Sequence, residues 1–162
     1  MKLWLRRLVG VLTLGGGFLG IVIGLTTLIG DANFASKTIG FLFSALYAWG
    51  VWCGIGVLEN SADSLTPVRV YWLLQIPYFT SPVLGFHFFG GAWILTAIQT
   101  ADPKFLWALQ FGNHFAGTVM QPAPFGIGVN LFAIAVFGLL TLAASATPSD
   151  NSFKPNPLGS PT

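Results

Sequence analysis

Long uncharged apolar runs alternate with short polar segments along this chain. The first run, residues 8–29, follows Arg6 and Arg7, and as a helix it would extend about 33 Å at about 1.5 Å per residue. A second uncharged run covers residues 38–58. Because the hydrocarbon core of a bilayer is about 30 Å thick, each run predicts a helix that crosses a membrane.

The third apolar run, residues 70–101, is too long for one straight crossing. Pro77 and Pro82 each remove a helical hydrogen-bond donor and predict a break. We therefore expect an entry segment over residues 69–76 and a crossing over residues 79–98, with one long kinked helix as the alternative.

The rest of the apolar region predicts one more crossing. A short helix over residues 103–111, either interfacial or re-entrant, and a proline-containing turn over residues 120–126 precede it. The fourth crossing covers residues 127–146. The sequence therefore predicts an all-α integral membrane protein with four transmembrane helices, the third segment being broken by proline.

The two ends of the chain indicate its orientation. Lys2, Arg6 and Arg7 make the N-terminus the most basic segment, and positively charged flanks stay in the cytoplasm. Four crossings then place both termini on the cytoplasmic side of the inner membrane. Residues 147–162 are polar and rich in proline, so we expect a disordered cytoplasmic tail.

Composition supports a bilayer environment. Of the 162 residues 54% are hydrophobic and 7% charged, whereas soluble proteins are about a quarter charged. The formal net charge of +2 is too small and too scattered to indicate a nucleic-acid surface. The single cysteine, Cys53, excludes a disulfide within the chain.

Small residues line one side of each of the first two predicted helices. Gly16, Gly20 and Gly24 recur every four residues, and Gly50 and Gly54 repeat that spacing in the second helix. Such spacing lets another helix backbone approach closely, so we expect these glycines to pack against neighbouring helices.

The position of each glycine around the first helix predicts its tolerance of substitution. Gly20 lies at the centre of the row, whereas Gly17 lies nearer its edge. A Gly20→Leu substitution is therefore expected to damage assembly more than Gly17→Leu.

Five polar side chains within or beside the later crossings are candidates for a ligand or polar site: His87, His114, Gln75, Ser81 and Asn130. An ionisable group inside a crossing is costly, which makes His87 a functional candidate, although a neutral histidine bonded to a neighbouring helix is the alternative. His114 is expected in a loop that faces water. The other three would line a neutral pore or bond between helices.

The two histidines are also the one pair in the chain that could supply both axial ligands of a haem. That arrangement requires His87 and His114 to meet near the outer leaflet. The sequence predicts no other cofactor and no metal site.

No sequence motif indicates catalysis. The chain contains neither G-x-S-x-G nor H-E-x-x-H, and no glycine-rich phosphate loop. The predicted crossings contain no Asp, Glu, Lys or Arg, which disfavours an ion-coupled carrier. We therefore expect a non-catalytic accessory subunit that packs in the lipid bilayer against other membrane subunits or against itself. A small-solute channel or transporter and a haem-binding or redox subunit are the alternatives.

Overall fold

The computed structural model describes residues 1–31, 33–100, 104–120 and 123–145. Within these ranges it contains four α-helices, a short 3-10 turn (Ala62–Ser64) and six β-strands. The helices are α1 (Leu3–Ile29), α2 (Phe34–Leu58), α3 (Leu65–Leu73) and α4 (Leu131–Ser145). The strands are β1 (Pro77–Thr80), β2 (Leu84–Phe89), β3 (Ala92–Gln99), β4 (Lys104–Phe111), β5 (His114–Val119) and β6 (Gly126–Asn130).

The first two helices form an antiparallel pair that contains the predicted runs at residues 8–29 and 38–58. Asn33 begins α2, because its side-chain oxygen accepts a hydrogen bond from the Ser36 N–H at 2.8 Å and satisfies one free helical donor. Among the described helices, α1 and α2 are the two that are long and apolar enough to cross a membrane, with 27 and 25 residues and mean hydropathies of 2.2 and 1.7 over an 18-residue stretch of each.

Glycines set how closely α1 and α2 approach. A Cβ atom added at Gly20 would lie 2.2 Å from the ring of Tyr47, and one added at Gly24 would lie 2.0 Å from Ser44 Oγ. Gly17 is also confined, since its Cβ would lie 2.7 Å from the Tyr47 carbonyl oxygen. Both glycines therefore lie against α2, and the expected difference between Gly20→Leu and Gly17→Leu stays a prediction.

The region from Pro77 to Asn130 forms six strands where helices were predicted, so the protein is not all-α, and the prediction of four transmembrane helices is wrong. The expected crossing at residues 79–98 forms parts of β1, β2 and β3, and the alternative of one kinked helix is also wrong. The expected short helix over residues 103–111 forms β4 over its described part, and the fourth expected crossing begins as β6.

Turn-forming residues explain these strands. Pro77 occupies the first position of β1, where a strand tolerates proline. The Ser81 hydroxyl accepts hydrogen bonds from the Val83 and Leu84 N–H groups at 3.3 and 3.0 Å, which forms the turn between β1 and β2. Pro77 and Pro82 therefore lie at the start and in the turn of a hairpin, whereas the sequence predicted a proline-broken segment that leads into a helical crossing.

Three features expected from the sequence fall partly or wholly outside the described residues. The expected disordered tail at residues 147–162 and the expected helix start at residues 102–103 lie outside them entirely. Of the expected turn at residues 120–126, residues 121–122 lie outside, and Met120 has a positive φ of 53°.

The six strands form one antiparallel sheet in the order β4-β3-β6-β1-β2-β5. β4 and β5 lie at opposite edges, yet only Gly112 and Asn113 connect them. In a flat sheet five strand spacings of about 4.8 Å would separate these edges by about 24 Å. Three Cα–Cα steps of about 3.8 Å reach at most about 11 Å, so the sheet must curl until the two edges meet at this link.

Curling gives the sheet a concave face and a convex face, and strand register assigns each side chain to one of them. Tyr78 pairs with His87 and with Gly128, which places these three positions on the concave face. The alternate positions on β2 and β5 lie on the convex face, where Phe88 and Phe115 pack against α2.

Two polar contacts fix the sheet against the helix pair. The Tyr47 hydroxyl donates a hydrogen bond to the Phe89 carbonyl oxygen at 2.8 Å, and the Asn113 side-chain amide donates to the Gly16 carbonyl oxygen. Gly91, with a φ of +79°, lies close enough to Gly16 that a Cβ at Gly16 would be 2.9 Å from its nitrogen. The β2–β3 turn therefore lies beside the middle of α1.

The helix contact gives a first prediction. Gly17→Ala and Gly20→Ala should each lower the stability of the protein by about 1 to 3 kcal/mol, because the added methyl overpacks the contact with Tyr47. Thermal unfolding in detergent micelles, followed by circular dichroism, measures this.

Gly15→Ala is the matched control, since no atom lies within 4 Å of the added Cβ. It should leave stability unchanged or raise it by up to about 1 kcal/mol through helix propensity. Equal unfolding temperatures for the three variants would contradict the described contact.

Candidate functional site

The two histidines of the chain meet on the concave face of the curled sheet. His87 lies on β2 opposite Ala116, and His114 lies on β5 opposite Phe89, so the two residues are diagonal neighbours on one face. The distance between His87 Nε2 and His114 Nδ1 is 2.8 Å, and the ring planes agree within 5°. One of these nitrogens carries the proton and the other accepts the hydrogen bond.

Aromatic rings surround this pair. The centroid of Tyr78 lies 5.5 Å from that of His87, and the centroid of Phe89 lies 5.6 Å from it. Trp93 lies 6.1 Å from His114 and 5.1 Å from Phe89. The histidines therefore occupy an aromatic recess with few polar groups.

The two imidazoles differ in their access to solvent. His87 is 8% exposed, whereas His114 lies on the exposed side of the recess. Burial, and secondarily the neighbouring His114, lower the pKa of His87 to about 4 because both disfavour its charged form. His87 is therefore neutral at physiological pH.

The side chains of the other polar candidates form hydrogen bonds with backbone N–H groups. Gln75 is fully buried and its side-chain oxygen accepts a hydrogen bond from the Gly90 N–H at 2.8 Å. The Asn130 side-chain oxygen accepts from the Ile94 N–H at 3.1 Å and from the Ala133 N–H at 3.4 Å, which joins β3 to the start of α4. The sequence suggested that these residues bond between helices or line a pore. Neither the Gln75 oxygen nor the Asn130 oxygen joins two helices, and Ser81 forms the β1–β2 turn.

The glycines expected to pack against helices lie inside the molecule. Gly16 faces the β2–β3 turn, Gly20 and Gly24 face α2, and Gly54 faces the backbone of Leu14. Gly50 lies against a ring of α3, since its Cβ would lie 2.4 Å from Tyr71. The space beside each of these five glycines is therefore occupied by other residues of the same chain.

The histidine pair does not fit a haem in this arrangement. Two axial nitrogens lie on opposite faces of the porphyrin, which at a metal–nitrogen distance of about 2 Å separates them by about 4 Å. The nitrogens of His87 and His114 are 2.8 Å apart and bonded to each other. The described residues contain no group of three or more His, Cys, Asp or Glu side chains that could hold a metal ion.

The convex face of β4 is the second unusual feature. Its outward side chains are apolar and exposed at every position, namely Phe105 (69%), Trp107 (62%), Leu109 (51%) and Phe111 (85%). The neighbouring convex positions Ile98, Ile127 and Val129 are also exposed. Hydropathy did not identify this row, but the alternation of large apolar residues along residues 105–111 was a usable signal.

β4 is also an edge strand. It pairs with β3 along all eight residues, and no described strand pairs with its other side. Edge strands that are long and apolar are pairing sites for another chain unless they are protected. β4 combines such an edge with an exposed apolar face.

No protein-family model matches this chain, and comparisons with the curated proteins and with the solved structures give no match. The geometry of these two regions is therefore the basis for a functional proposal.

The depressed pKa of His87 gives a second prediction. In the unfolded chain a histidine has a pKa of about 6.5, so the unfolded state binds more protons than the folded state between about pH 6.5 and pH 4. Stability should therefore be constant above about pH 6.5 and fall as the pH decreases to about 4. Unfolding temperatures measured at intervals from pH 8 to pH 4 test this.

His87→Phe should flatten this pH profile, because the titrating group is gone while ring packing against Tyr78 and Phe89 is kept. Gln99→Leu, on the concave face at the far end of β3, is the control and should keep the profile of the unmodified protein. Parallel profiles for all three proteins would show that His87 does not control the pH dependence.

Proposed function

We propose that this protein is a non-catalytic integral membrane subunit that associates with a second copy of itself through strand β4. The observation that carries this proposal is the unpaired backbone edge of β4 beside its exposed apolar convex face.

The proposed membrane placement rests on the helix pair. α1 and α2 have the length and composition of spans, and Lys2, Arg6 and Arg7 favour a cytoplasmic N-terminus. The antiparallel α2 then returns to the cytoplasm. Because the β2–β3 turn lies beside Gly16, this orientation places one end of the sheet near the middle of the bilayer.

A lipid environment makes an unpaired strand edge costly. In water a free N–H or C=O group bonds to solvent, whereas each unsatisfied group in hydrocarbon costs several kcal/mol. Phe111, at one end of β4, joins the apolar surface that α1 forms around Leu12 and Leu19. Pairing of β4 with another strand removes that cost without moving the apolar face out of lipid.

A second copy provides a matching strand. In an antiparallel two-fold pairing centred on Ala108, Trp107 faces Leu109 of the second copy and Phe105 faces Phe111 of the second copy. The convex pairs are then all apolar, and Leu106 faces Gln110 on the concave side. No like charges meet between residues 105 and 111.

The concave face favours neither catalysis nor conduction. The described strands contain no Asp or Glu, so the histidine pair has no carboxylate beside it on the sheet. Phe89, Trp93 and Leu95 are buried together in the hollow of the sheet, where a channel would need a polar path. A non-catalytic subunit is therefore the function that these residues support best.

Cysteine cross-linking gives a third prediction. In a Cys53→Ala background, Ala108→Cys should form a disulfide-linked dimer under mild oxidation, because opposed residues at the two-fold axis have Cα atoms about 4.5 to 5.5 Å apart. Non-reducing electrophoresis of the protein oxidised in membranes measures the dimer fraction, which should exceed half.

Gln110→Cys is the matched control, since it lies on the same strand and face but opposite Leu106 of the second copy. It should form little dimer by itself, whereas Leu106→Cys combined with Gln110→Cys should form it readily. Equal cross-linking of the two single variants, or a monomer in native detergent sizing, would overturn the proposed interface.

A further inference from the structure

A pair of buried polar side chains lies where α3 meets the β2–β3 turn, and neither the proposed interface nor the histidine pair uses it. Tyr71 on α3 is 1% exposed, and Gln75, which follows α3, is 0% exposed. Within the described residues, neither the Tyr71 hydroxyl nor Gln75 Nε2 has a hydrogen-bond partner. Nearly all buried polar groups in native proteins bond to another protein group or to ordered water, so these two require a partner.

Both side chains reach the same point beside Gly90. A Cβ atom at Gly90 would lie 3.3 Å from the Tyr71 hydroxyl oxygen and 3.4 Å from Gln75 Oε1. The next nearest atom is a ring carbon of Tyr47, at 3.6 Å. Because Gly90 has no side chain, two polar groups and one aromatic edge line a small hollow at this point.

The two side chains are held toward this hollow. The Tyr71 ring packs against Gly50, whose added Cβ would lie 2.4 Å from it, and its centroid lies 5.6 Å from that of Phe88. Rotation of the ring about its own axis does not move the hydroxyl oxygen, which lies on that axis. Gln75 Oε1 accepts the Gly90 N–H at 2.8 Å, which fixes the orientation of the amide. Neither group can therefore turn to another partner without breaking these contacts.

We propose that one water molecule is bound in this hollow as a constant part of the fold. The edge of the Gln75 amide presents an acceptor, Oε1, beside a donor, Nε2. The water donates to the second lone pair of Oε1 and accepts hydrogen bonds from Nε2 and from the Tyr71 hydroxyl. These three bonds equal the usual number for a buried water, and they pair both of the groups that lack a protein partner.

This water gives the β2–β3 turn a second connection to α3. Gln75 Oε1 bonds directly to the Gly90 N–H, and the water joins the same oxygen to Tyr71, one turn earlier on the chain. Because Tyr71 and Gln75 are fully buried in protein, the water contacts no lipid in the proposed membrane placement. Ordered waters enclosed by protein are compatible with membrane depth, since they satisfy groups that hydrocarbon cannot.

Nuclear magnetic resonance tests the water directly. Full-length protein labelled with ¹⁵N in detergent micelles is measured for nuclear Overhauser effects between water and the backbone amides. A water that tumbles with the protein gives an effect of opposite sign to that of mobile surface water. The amide of Gly90 should show this signal, because it bonds to the same Gln75 oxygen as the proposed water.

Two variants separate a bound water from the Tyr71 hydroxyl proton, which exchanges with solvent and would give a similar signal. Gly90→Ala places a methyl group in the hollow and should remove the signal at residue 90. Tyr71→Phe removes the hydroxyl but leaves both groups of Gln75, so the signal should remain. Gly138→Ala is the control and should keep the signal, since no atom lies within 4 Å of the added Cβ. Thermal unfolding checks that each variant is folded.

A crystal structure at a resolution that shows ordered water is the second measurement. It should show a water oxygen about 2.7 to 3.2 Å from both the Tyr71 hydroxyl oxygen and Gln75 Oε1. A direct hydrogen bond between these two side chains would overturn the proposal. The same holds for a signal that is absent from the unmodified protein, that persists in Gly90→Ala, or that disappears in Tyr71→Phe. Self-association does not enter these measurements, so failure of the β4 interface leaves the result interpretable.

Discussion

The contact of Tyr47 with Gly20 is the interaction on which the rest of the structure depends. Its ring fills the space that a glycine leaves on α1, and its hydroxyl bonds to the Phe89 carbonyl oxygen at the end of β2. One side chain of α2 therefore joins both helices to the sheet. A larger residue at position 20 would displace the ring, and with the ring it would displace the hydrogen bond that positions the β2–β3 turn against Gly16.

The two-residue link between β4 and β5 has a comparable influence on the sheet. It forces the outer strands together at one end, and the resulting curl turns the side chains of β2 and β5 toward each other. The 2.8 Å contact between His87 and His114 follows from that curl and from the diagonal register. β4 pairs with β3 alone among the described strands, because it is the first strand in the sheet order.

The sequence predicted the first two helices because their apolar runs are longer than any strand and contain no proline. It failed between Pro77 and Asn130 because strand β3 is apolar on both faces, and hydropathy cannot separate such a strand from a helix. The two histidines were predicted as a pair on composition alone. Their contact depends on the pairing of β2 with β5, which joins residues 27 positions apart and leaves no local signal in the sequence.

The sheet carries apolar side chains on both of its faces. On β4 the large side chains such as Trp107 face outward, whereas Leu106, Ala108 and Gln110 face inward, where Leu106 and Ala108 pack against the cluster of Phe89, Trp93 and Leu95. An apolar outer face alone is stable in lipid, but a free backbone edge is not. β4 therefore keeps one row of backbone groups unpaired among the described strands, and these groups bond to solvent in water but would need another strand in hydrocarbon.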